Sequence, residues 1–269
     1  MVKRLLRNKW AVLGLGIILF MSFLALFAPY IAKYEPTSIN IEEALLSPSP
    51  KHLLGTDSLG RDLFSRIVYG ARISLSVGFL AVGIAVIIGL ILGSIAGFFG
   101  GWVDELIMRF VDIMLCFPSF FLILSLVAIV SKPSIYLIMI IIGLTSWMGP
   151  ARLIRAEILS LKEENFILAL KILRIPTIRI IRRHLIPNAI SPVLVNATLG
   201  VAAAILVESS LSFLGLGVQP PTPSWGNILM EAKSTLGVAW WITLFPGLCI
   251  LLTVLGFNLL GEAIREELK

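Results

Sequence analysis

Few residues in this chain have the type and spacing that chemistry requires. It holds two histidines, His52 and His184, and two cysteines, Cys116 and Cys249, and these four are far apart in the sequence. There is no G-x-x-x-x-G-K-[S/T] phosphate loop, no H-E-x-x-H motif and no Cys/His cluster with the spacing of metal ligands. We therefore expect no catalytic, cofactor-binding or metal-binding residue. A process driven by ATP would need a partner that hydrolyses it.

Two charged features remain as candidates for function. One is a basic segment, 151–190, between long apolar runs. The other is a pair of acidic residues inside apolar runs. A carboxylate in a membrane is energetically costly, so a functional role is the first hypothesis for each. Glu208 could line a solute path and meet a cationic group, could be protonated, or could bond a neighbouring helix. Asp112 is expected to pair with Arg109. The basic residues of 151–190 are Arg152, Arg155, Lys162, Lys171, Arg174, Arg179, Arg182 and Arg183.

Composition places these features in a membrane. The 269 residues are 58% hydrophobic and 14% charged, with a mean hydropathy of +0.97. Soluble domains are about half apolar and about a quarter charged, so the chain is predicted to be an all-α polytopic membrane protein. Six apolar runs reach spanning length, at 10–32, 74–99, 108–130, 134–150, 191–215 and 239–260.

The distribution of Lys and Arg predicts the orientation. Basic residues are concentrated in the N-terminal segment, in 151–190 and in the C-terminal tail, which puts both termini and 151–190 in the cytoplasm. Lys3, Arg4, Arg7 and Lys9 precede a first run that is too long for a signal peptide, and we expect a retained helix. No stacking or groove-reading motif accompanies the charge, so a nucleic-acid partner is not expected.

The segment 33–73 is predicted to be the largest external loop. Tyr34–Pro50 reads as irregular, whereas the spacing over Gly55–Ala71 predicts an amphipathic helix on the outer surface before span 2. Asp57 would cap that helix. Arg61 would form an exposed ion pair with Asp57 or Asp62, and such a pair contributes little to stability. The apolar stripe of the expected helix is Leu59, Leu63, Phe64 and Ile67.

The segment 151–190 predicts two helices with a break between them. Glu157–Arg174 has good helix formers, with Ile158, Leu161 and Phe166 turned inward, and Pro176 should end this helix at about Arg174. A second helix from Thr177 to about Ile186 would carry Arg179, Arg182 and Arg183 on one arc. This basic surface either contacts anionic lipid headgroups or docks a partner.

Small residues and prolines predict the packing of the spans. Ala85, Gly89, Gly93 and Gly97 recur every four residues and should let another helix approach closely. Pro118 should kink span three, and Pro246 is a candidate kink in span six.

Three motifs in order resemble a known family. Leu168-Ala169-Leu170, Arg174 and His184-Leu185-Ile186-Pro187 fall at the spacing of the signature of ABC-importer permeases, with Leu168, Leu170 and Arg174 in place of an acid, an alanine and a glycine. The segment 52–66, HLLGTDSLGRDLFSR, and the segment 208–217, ESSLSFLGLG, followed by Pro220, Pro221 and Ser224-Trp225-Gly226, are similar to the second permease subunits of dipeptide, oligopeptide and nickel importers.

The resemblance implies a fold and a division into regions. The fold would be that of a type I ABC importer permease, with six spans and a cytoplasmic coupling helix between spans 4 and 5. The regions would be 1–73 with the first helix, a core of 74–262, and a cytoplasmic tail of 263–269. The residues implied in coupling to an ATPase are Glu164, Phe166, Ala169, Leu170, Arg174, Pro176, Arg179, His184 and Pro187. Those implied in the pathway or gate are Glu208, Ser209 and Ser212.

The resemblance also implies partners and cargo. A homologous second permease, two cytoplasmic ATPase subunits that bind ATP and Mg, and an external solute-binding protein would act with this chain in the cytoplasmic membrane. Di- or oligopeptides are the expected cargo, with nickel or another small solute as the alternative. Two further hypotheses stay open: a secondary transporter that uses Glu208 and Asp112 as an ion relay, and a scaffold that only recruits cytoplasmic proteins.

Overall fold

The computed structural model describes residues 7–130 and 134–268. Over these residues the chain is helical and contains no β-strand, which confirms the predicted all-α class. Lys3, Arg4 and residues 131–133, between the predicted third and fourth spans, lie outside the described residues. The helices in chain order are α1 (Lys9–Leu26), α2 (Ala28–Ile31), α3 (Leu63–Phe99), α4 (Gly101–Leu115), α5 (Ser119–Ala128), α6 (Ile135–Leu144), α7 (Met148–Leu161), α8 (Asn165–Ile172), α9 (Thr177–Phe213), α10 (Trp225–Glu231) and α11 (Trp240–Glu267).

Among the described residues, four helices are long and apolar enough to cross a membrane: α1, α3, α9 and α11. Two pairs meet the same test only together, α4 with α5, bent by 79°, and α6 with α7, bent by 40°. The predicted number of six holds if each bent pair is one span. Pro118 lies in the first bend, directly before α5, as expected for a residue that cannot continue a helix. Pro246 lies inside α11, which continues beyond it to Glu267.

Helix α3 is the centre of the bundle, because α1, α6, α7 and α9 all pack against it. Its predicted small-residue stripe lies against α7, which confirms the close approach. A Cβ built on Gly89 would be 2.5 Å from Cβ of Pro150, and one on Gly93 would be 2.4 Å from the carbonyl oxygen of Ala151. Neither position has room for a methyl group, so the two helices touch backbone to backbone.

The bundle has two ends that carry different loops. Residues 32–62 and α10 lie at one end, called the α10 end here, together with the start of α3 and of α11. Helix α8 lies at the opposite end, the α8 end, where Phe98 and Ile167 share one apolar cluster. The segments predicted to be external and cytoplasmic are therefore at opposite ends of the molecule.

The predicted surface helix over Gly55–Ala71 is wrong. Residues 55–62 form turns, with positive φ at Gly55 (+82°) and Gly60 (+71°). Helix α3 begins only at Leu63, where the carboxylate of Asp62 caps it by accepting from the Ser65 amide at 2.8 Å. It then runs for 37 residues into the predicted second span. The cap is Asp62 because the glycine turns prevent helix formation after Asp57.

The two predicted helices of 151–190 also differ from those observed. Glu157–Arg174 is divided between α7 and α8 by a turn at 162–164. Glu164 takes an extended conformation there (φ −67°, ψ 140°), and this turn directs α8 back against the bundle. The second helix does not stop near Ile186, since α9 extends from Thr177 to Phe213.

Candidate functional site

Helix α8 ends in a turn that explains how Arg174 replaces a glycine. Arg174 has a φ of +55°, in the left-handed region. The amide of Ile175 donates to the carbonyl of Leu170 at 3.1 Å, and the amide of Arg174 donates to that of Lys171 at 3.0 Å. These two bonds define a Schellman motif, whose left-handed residue is usually glycine. The turn keeps the glycine conformation although the residue is an arginine.

Pro176 directly follows this turn and precedes α9. At the start of α9, residues Ile181–Leu185 form a π-helical turn, and the amide of Ile186 donates to the carbonyl of Ile181. Pro187 lies just beyond and has no N–H for the usual helical bond. We call residues 164–187, with α8, this turn and the start of α9, the elbow.

The elbow packs onto the bundle through isoleucines. Ile167 of α8 and Ile180 of α9 are buried against Ile154 and Ile158 of α7. The expected inward position of Phe166 is wrong, because Phe166 is 44% exposed and Ile167 takes the inward position. A shift of one residue turns a helix by about 100°, so the turn at 162–164 decides which of the two is buried.

The outer surface of the elbow mixes apolar and basic groups. Ile172, Leu173 and Ile178 are between 70% and 82% exposed. His184 and Leu170 are partly buried. The predicted coupling residues that lie exposed on this surface are Glu164, Phe166, Ala169, Arg174, Pro176, Arg179 and Pro187.

Helix α7, directly before the elbow, is joined to α4 by ion pairs. Arg155 pairs with Asp104, with Nη2 at 2.5 Å from Oδ2, and Arg152 pairs with Asp112. The predicted pairing of Asp112 with Arg109 is wrong, since Arg109 instead pairs with Glu105 on its own helix. Arg109 is the arginine nearest to Asp112 in the sequence, but the fold brings α7 against α4 and so places Arg152 beside Asp112.

Toward the α10 end, Glu208 of α9 is fully buried among serines. The hydroxyl of Ser212 donates to its Oε1 at 2.7 Å, and that of Ser224 donates to the same oxygen at 2.9 Å. Ser74 of α3 and Ser209 are each 3.5 Å from Oε2. The carboxylate thus joins α9 to α3 and to the cap of α10. The pathway role of Glu208, Ser209 and Ser212 stays a prediction.

Sequence reasoning missed a buried charge cluster at the α10 end. Asp57, Arg61 and Arg66 are at most 5% exposed. Arg61 donates to Asp57 at 2.7 Å through Nε and to Glu231 of α10 at 2.7 Å through Nη2. Arg66 contacts Asp57 and Glu231 as well. The expected pairing of Arg61 with Asp57 is confirmed, but the expected exposure of this pair is wrong, since folding buries it under α10.

His52 organises the loop beside that cluster. Its ring is buried, with Nδ1 at 2.9 Å from Asp62 and Nε2 at 3.0 Å from Glu43, and it stacks on Tyr34. Glu43 also accepts a hydrogen bond from Lys51. This bond and then the one from His52 lower the pKa of the Glu43 carboxyl below its ordinary value. The one sequence signal for this role is that His52 is one of only two histidines and lies just before the turn at Gly55.

The geometry so far gives a helical membrane bundle with a basic elbow at one end and a compact, ion-paired cap at the other. Residues 89–268 match the family model described as "Binding-protein-dependent transport system inner membrane component". The chain belongs to this family. Residues 1–48 also match a model described as the N-terminal TM domain of oligopeptide transport permease C.

Curated relatives agree with this family. The chain is 46% identical to the dipeptide transport system permease protein DppC of Alkalihalophilus pseudofirmus, over 99% of this chain and 87% of the relative. It is 40% identical to the protein of the same name in Bacillus subtilis, over 99% and 83%. It is 39% identical to the oligopeptide transport system permease protein OppC of Bacillus subtilis, over 97% and 85%.

Family membership makes the chain an integral membrane component of a transport system and not an enzyme. The elbow, Glu208 and α10 all lie inside the matched range 89–268, whereas Ser74 of the Glu208 site precedes it. Across residues 7–130 and 134–268, no group of three or more His, Cys, Asp or Glu side chains could hold a metal ion.

Proposed function

We propose that this chain is the permease subunit of an ATP-driven importer that moves di- and oligopeptides across the cytoplasmic membrane. The observation that carries the proposal is 46% identity over 99% of the chain to a dipeptide transport permease. Similarity to an oligopeptide permease at 39% supports a cargo class broader than dipeptides.

In this function the elbow receives force from a partner. Two cytoplasmic ATPase subunits, which bind ATP and Mg, would dock on the exposed apolar and basic surface of α8 and the start of α9. The mixture of Phe166, Ile172 and Ile178 with Arg179 suits a protein partner, because a solvated loop would not expose so many large apolar side chains together.

Helix α9 would transmit the movement. It runs from the elbow at Thr177 to Phe213 at the α10 end, a length of about 55 Å at 1.5 Å per residue. A displacement of α8 on nucleotide binding would rock α9 as a rigid body and carry Glu208 with it. A homologous second permease would complete the pathway, and a solute-binding protein would deliver peptide at the α10 end, with both termini in the cytoplasm.

Uptake in a strain that lacks this chain tests the cargo. Complementation with the wild-type chain should restore uptake of a labelled dipeptide. That uptake should collapse when ATP is depleted and survive an uncoupler as long as ATP is maintained. A complemented strain that takes up nickel but no peptide would contradict the proposed cargo. Uptake that depends on the ion gradient alone would contradict the ATP-driven mechanism.

The docking role of the elbow has its own test. Ala169→Asp places a charge on the exposed face of α8, and deletion of 168–176 removes most of α8 and its turn. Both variants should insert normally yet lose peptide uptake coupled to ATP hydrolysis. Ser160→Asp, an equal charge at an exposed position of α7, is the control. Intact coupling in the two elbow variants would contradict docking there.

A further inference from the structure

A groove between α7 and α9 contains two cavities that lie end to end. The first, of about 160 Å³, is enclosed by α3, α5, α6, α7 and α9. The second, of about 370 Å³, lies nearer the α8 end and is bounded by α7, α9 and the end of α11. Asn196 of α9 lines both cavities.

The helical spacing shows that the two cavities follow one line. On α9 the first cavity is lined by Asn196, Gly200, Ala203, Ala204 and Val207, and the second by Pro192, Val195, Asn196 and Leu199. Steps of three and four residues place Pro192, Asn196, Gly200, Ala203 and Val207 on one face of the helix, so the two cavities share that face. On the facing side, Pro150 lines the first cavity and Leu153 the second, again on one face of α7. Asn196 is therefore the α9 residue at which the two cavities adjoin.

The groove has polar groups at membrane depth where the flanking spans are broken. Ser119 is the first residue of α5, after the 79° bend, and Ser146 lies in the break between α6 and α7. Both line the first cavity together with Asn196. In other classes of membrane transporter, broken spans and intramembrane polar residues accompany solute sites.

The carboxamide of Asn196 is available for a ligand. Other polar side chains of α9 bond to their own helix: Asn188 donates to the carbonyl of His184 at 2.6 Å and Thr198 to that of Leu194 at 2.8 Å. Among the described residues, Asn196 has no such bond. An amide without a partner is costly in an apolar surrounding, so a group that can donate and accept would be favoured beside it.

We propose that this groove is the part of the solute route contributed by this chain, and that Asn196 binds the backbone amides of a peptide in transit. This inference rests on the peptide-import function proposed above. A carboxamide donates and accepts as a peptide group does, so it recognises the backbone and not the side chains. The small residues Gly200 and Ala203 beside it leave space for side chains of varied size.

The size of the first cavity fits a gate. At about 160 Å³ it is smaller than the roughly 300 Å³ at which small-molecule pockets begin, so only a short part of a peptide would fit at once. The wider second cavity would receive the peptide after it passes Asn196. Rotation of α9 against α7 would widen the connection between the two.

Kinetics of the assembled transporter test this assignment. Asn196→Leu keeps the branched shape and the number of non-hydrogen atoms and removes both hydrogen-bonding groups, and it should raise the KM for dipeptide uptake about tenfold, the loss of one hydrogen bond to a buried amide. Subunit assembly should match the wild type. Asn196→Gln should recover part of the affinity. A KM within twofold of the wild type in Asn196→Leu would overturn the proposal.

Protection from a thiol reagent gives an independent readout. In a chain with Cys116→Ser and Cys249→Ala, Asn196→Cys should be labelled more slowly when dipeptide is present. Leu194→Cys, on an exposed face of the same helix, should not respond to peptide. Equal labelling with and without peptide would contradict peptide binding in the groove. Protection by added phospholipid instead would mean that the groove binds lipid.

These experiments separate the inference from the function it rests on. If the wild-type transporter takes up no peptide, the proposed function fails. If it takes up peptide and the Asn196 variants behave as the wild type, only the role of the groove fails.

Discussion

Arg66 of α3 and Glu231 of α10 are bound side by side at one end of the bundle, with Nη2 of the arginine 3.1 Å from Oε1 of the glutamate. The two residues are 165 positions apart in the sequence. Asp57 and Arg61 complete the cluster, in which Asp57 and both arginines are buried and Glu231 is partly exposed. It fastens the loop before α3 to the segment between α9 and α11.

Removal of one charge from this cluster should destabilise the protein. Glu231→Gln leaves two buried arginines with Asp57 as their remaining carboxylate, and we expect a loss of about 3 kcal/mol in the free energy of unfolding. Denaturant unfolding in detergent measures it. Arg109→Gln, which breaks the exposed pair with Glu105, should cost less than about 1 kcal/mol. Equal losses in the two variants would show that burial adds nothing to the cluster.

The contact between α3 and α7 predicts a sharp difference between two glycines of α3. Gly93→Ala places a methyl group 2.4 Å from the carbonyl oxygen of Ala151, so the helices must separate, at a cost of about 1–3 kcal/mol. Gly83→Ala meets no atom within 4 Å and should cause no loss. Thermal unfolding of the two variants checks this. A tolerant Gly93 would mean that α7 is not fixed against α3.

The turn at Arg174 predicts an order among substitutions. Glycine adopts a positive φ freely, so Arg174→Gly should stabilise the elbow by about 1 kcal/mol, and Arg174→Asn should be close to neutral. Arg174→Val should be destabilising, because a β-branched residue is strongly disfavoured there. Thermal stability and peptide-stimulated ATP hydrolysis are the measurements. Valine that performs as well as glycine would contradict the left-handed conformation.

Substitutions at Glu208 separate its hydrogen bonds from its charge. In Glu208→Gln the carbonyl oxygen can still accept from both Ser212 and Ser224, so we expect normal assembly with an altered uptake rate. Glu208→Ala leaves both buried hydroxyls without this acceptor and should cost about 2 kcal/mol in stability. An unchanged uptake rate in Glu208→Gln would assign the carboxylate to packing alone.

The loop around His52 should depend on acid pH through Glu43. The folded pKa of Glu43 is lowered, so its contribution to stability is complete above its ordinary pKa of 4.5 and is lost as the pH falls through the lowered value. The protection of the amides of residues 49–56 against hydrogen exchange, measured relative to the intrinsic rate at each pH, should therefore fall at pH values below 4.5. Glu43→Gln should remove this pH dependence. Exchange that keeps the same acid response in Glu43→Gln would exclude Glu43 as its origin.

The sequence predicted well those features that depend on local pattern. Apolar runs long enough for a bilayer marked the segments that contain the spanning helices, and Pro118 marked the break in the third. The glycine stripe of α3 predicted a close helix contact because small residues four apart share one face. At 151–190, Pro176 correctly indicated a break after α8.

Other features depend on contacts between distant segments and could not be read locally. Asp112 finds Arg152 and not Arg109, since α7 packs beside α4. Glu231 gives no sign in the sequence that it meets Arg66. Phe166 and Ile167 are equally apolar, and only the turn at 162–164 decides that Ile167 is inward. The left-handed conformation of Arg174 follows from the bonds that close the end of α8.

The backbone contact of α3 with α7 also limits how this molecule can change shape. Pro150 and the carbonyl group of Ala151 lie directly against the glycines of α3. The two helices therefore cannot slide past each other by a residue. They would travel as a single solid piece through a transport cycle. A force on the elbow must then move α9 as a whole against this pair and cannot deform the pair itself.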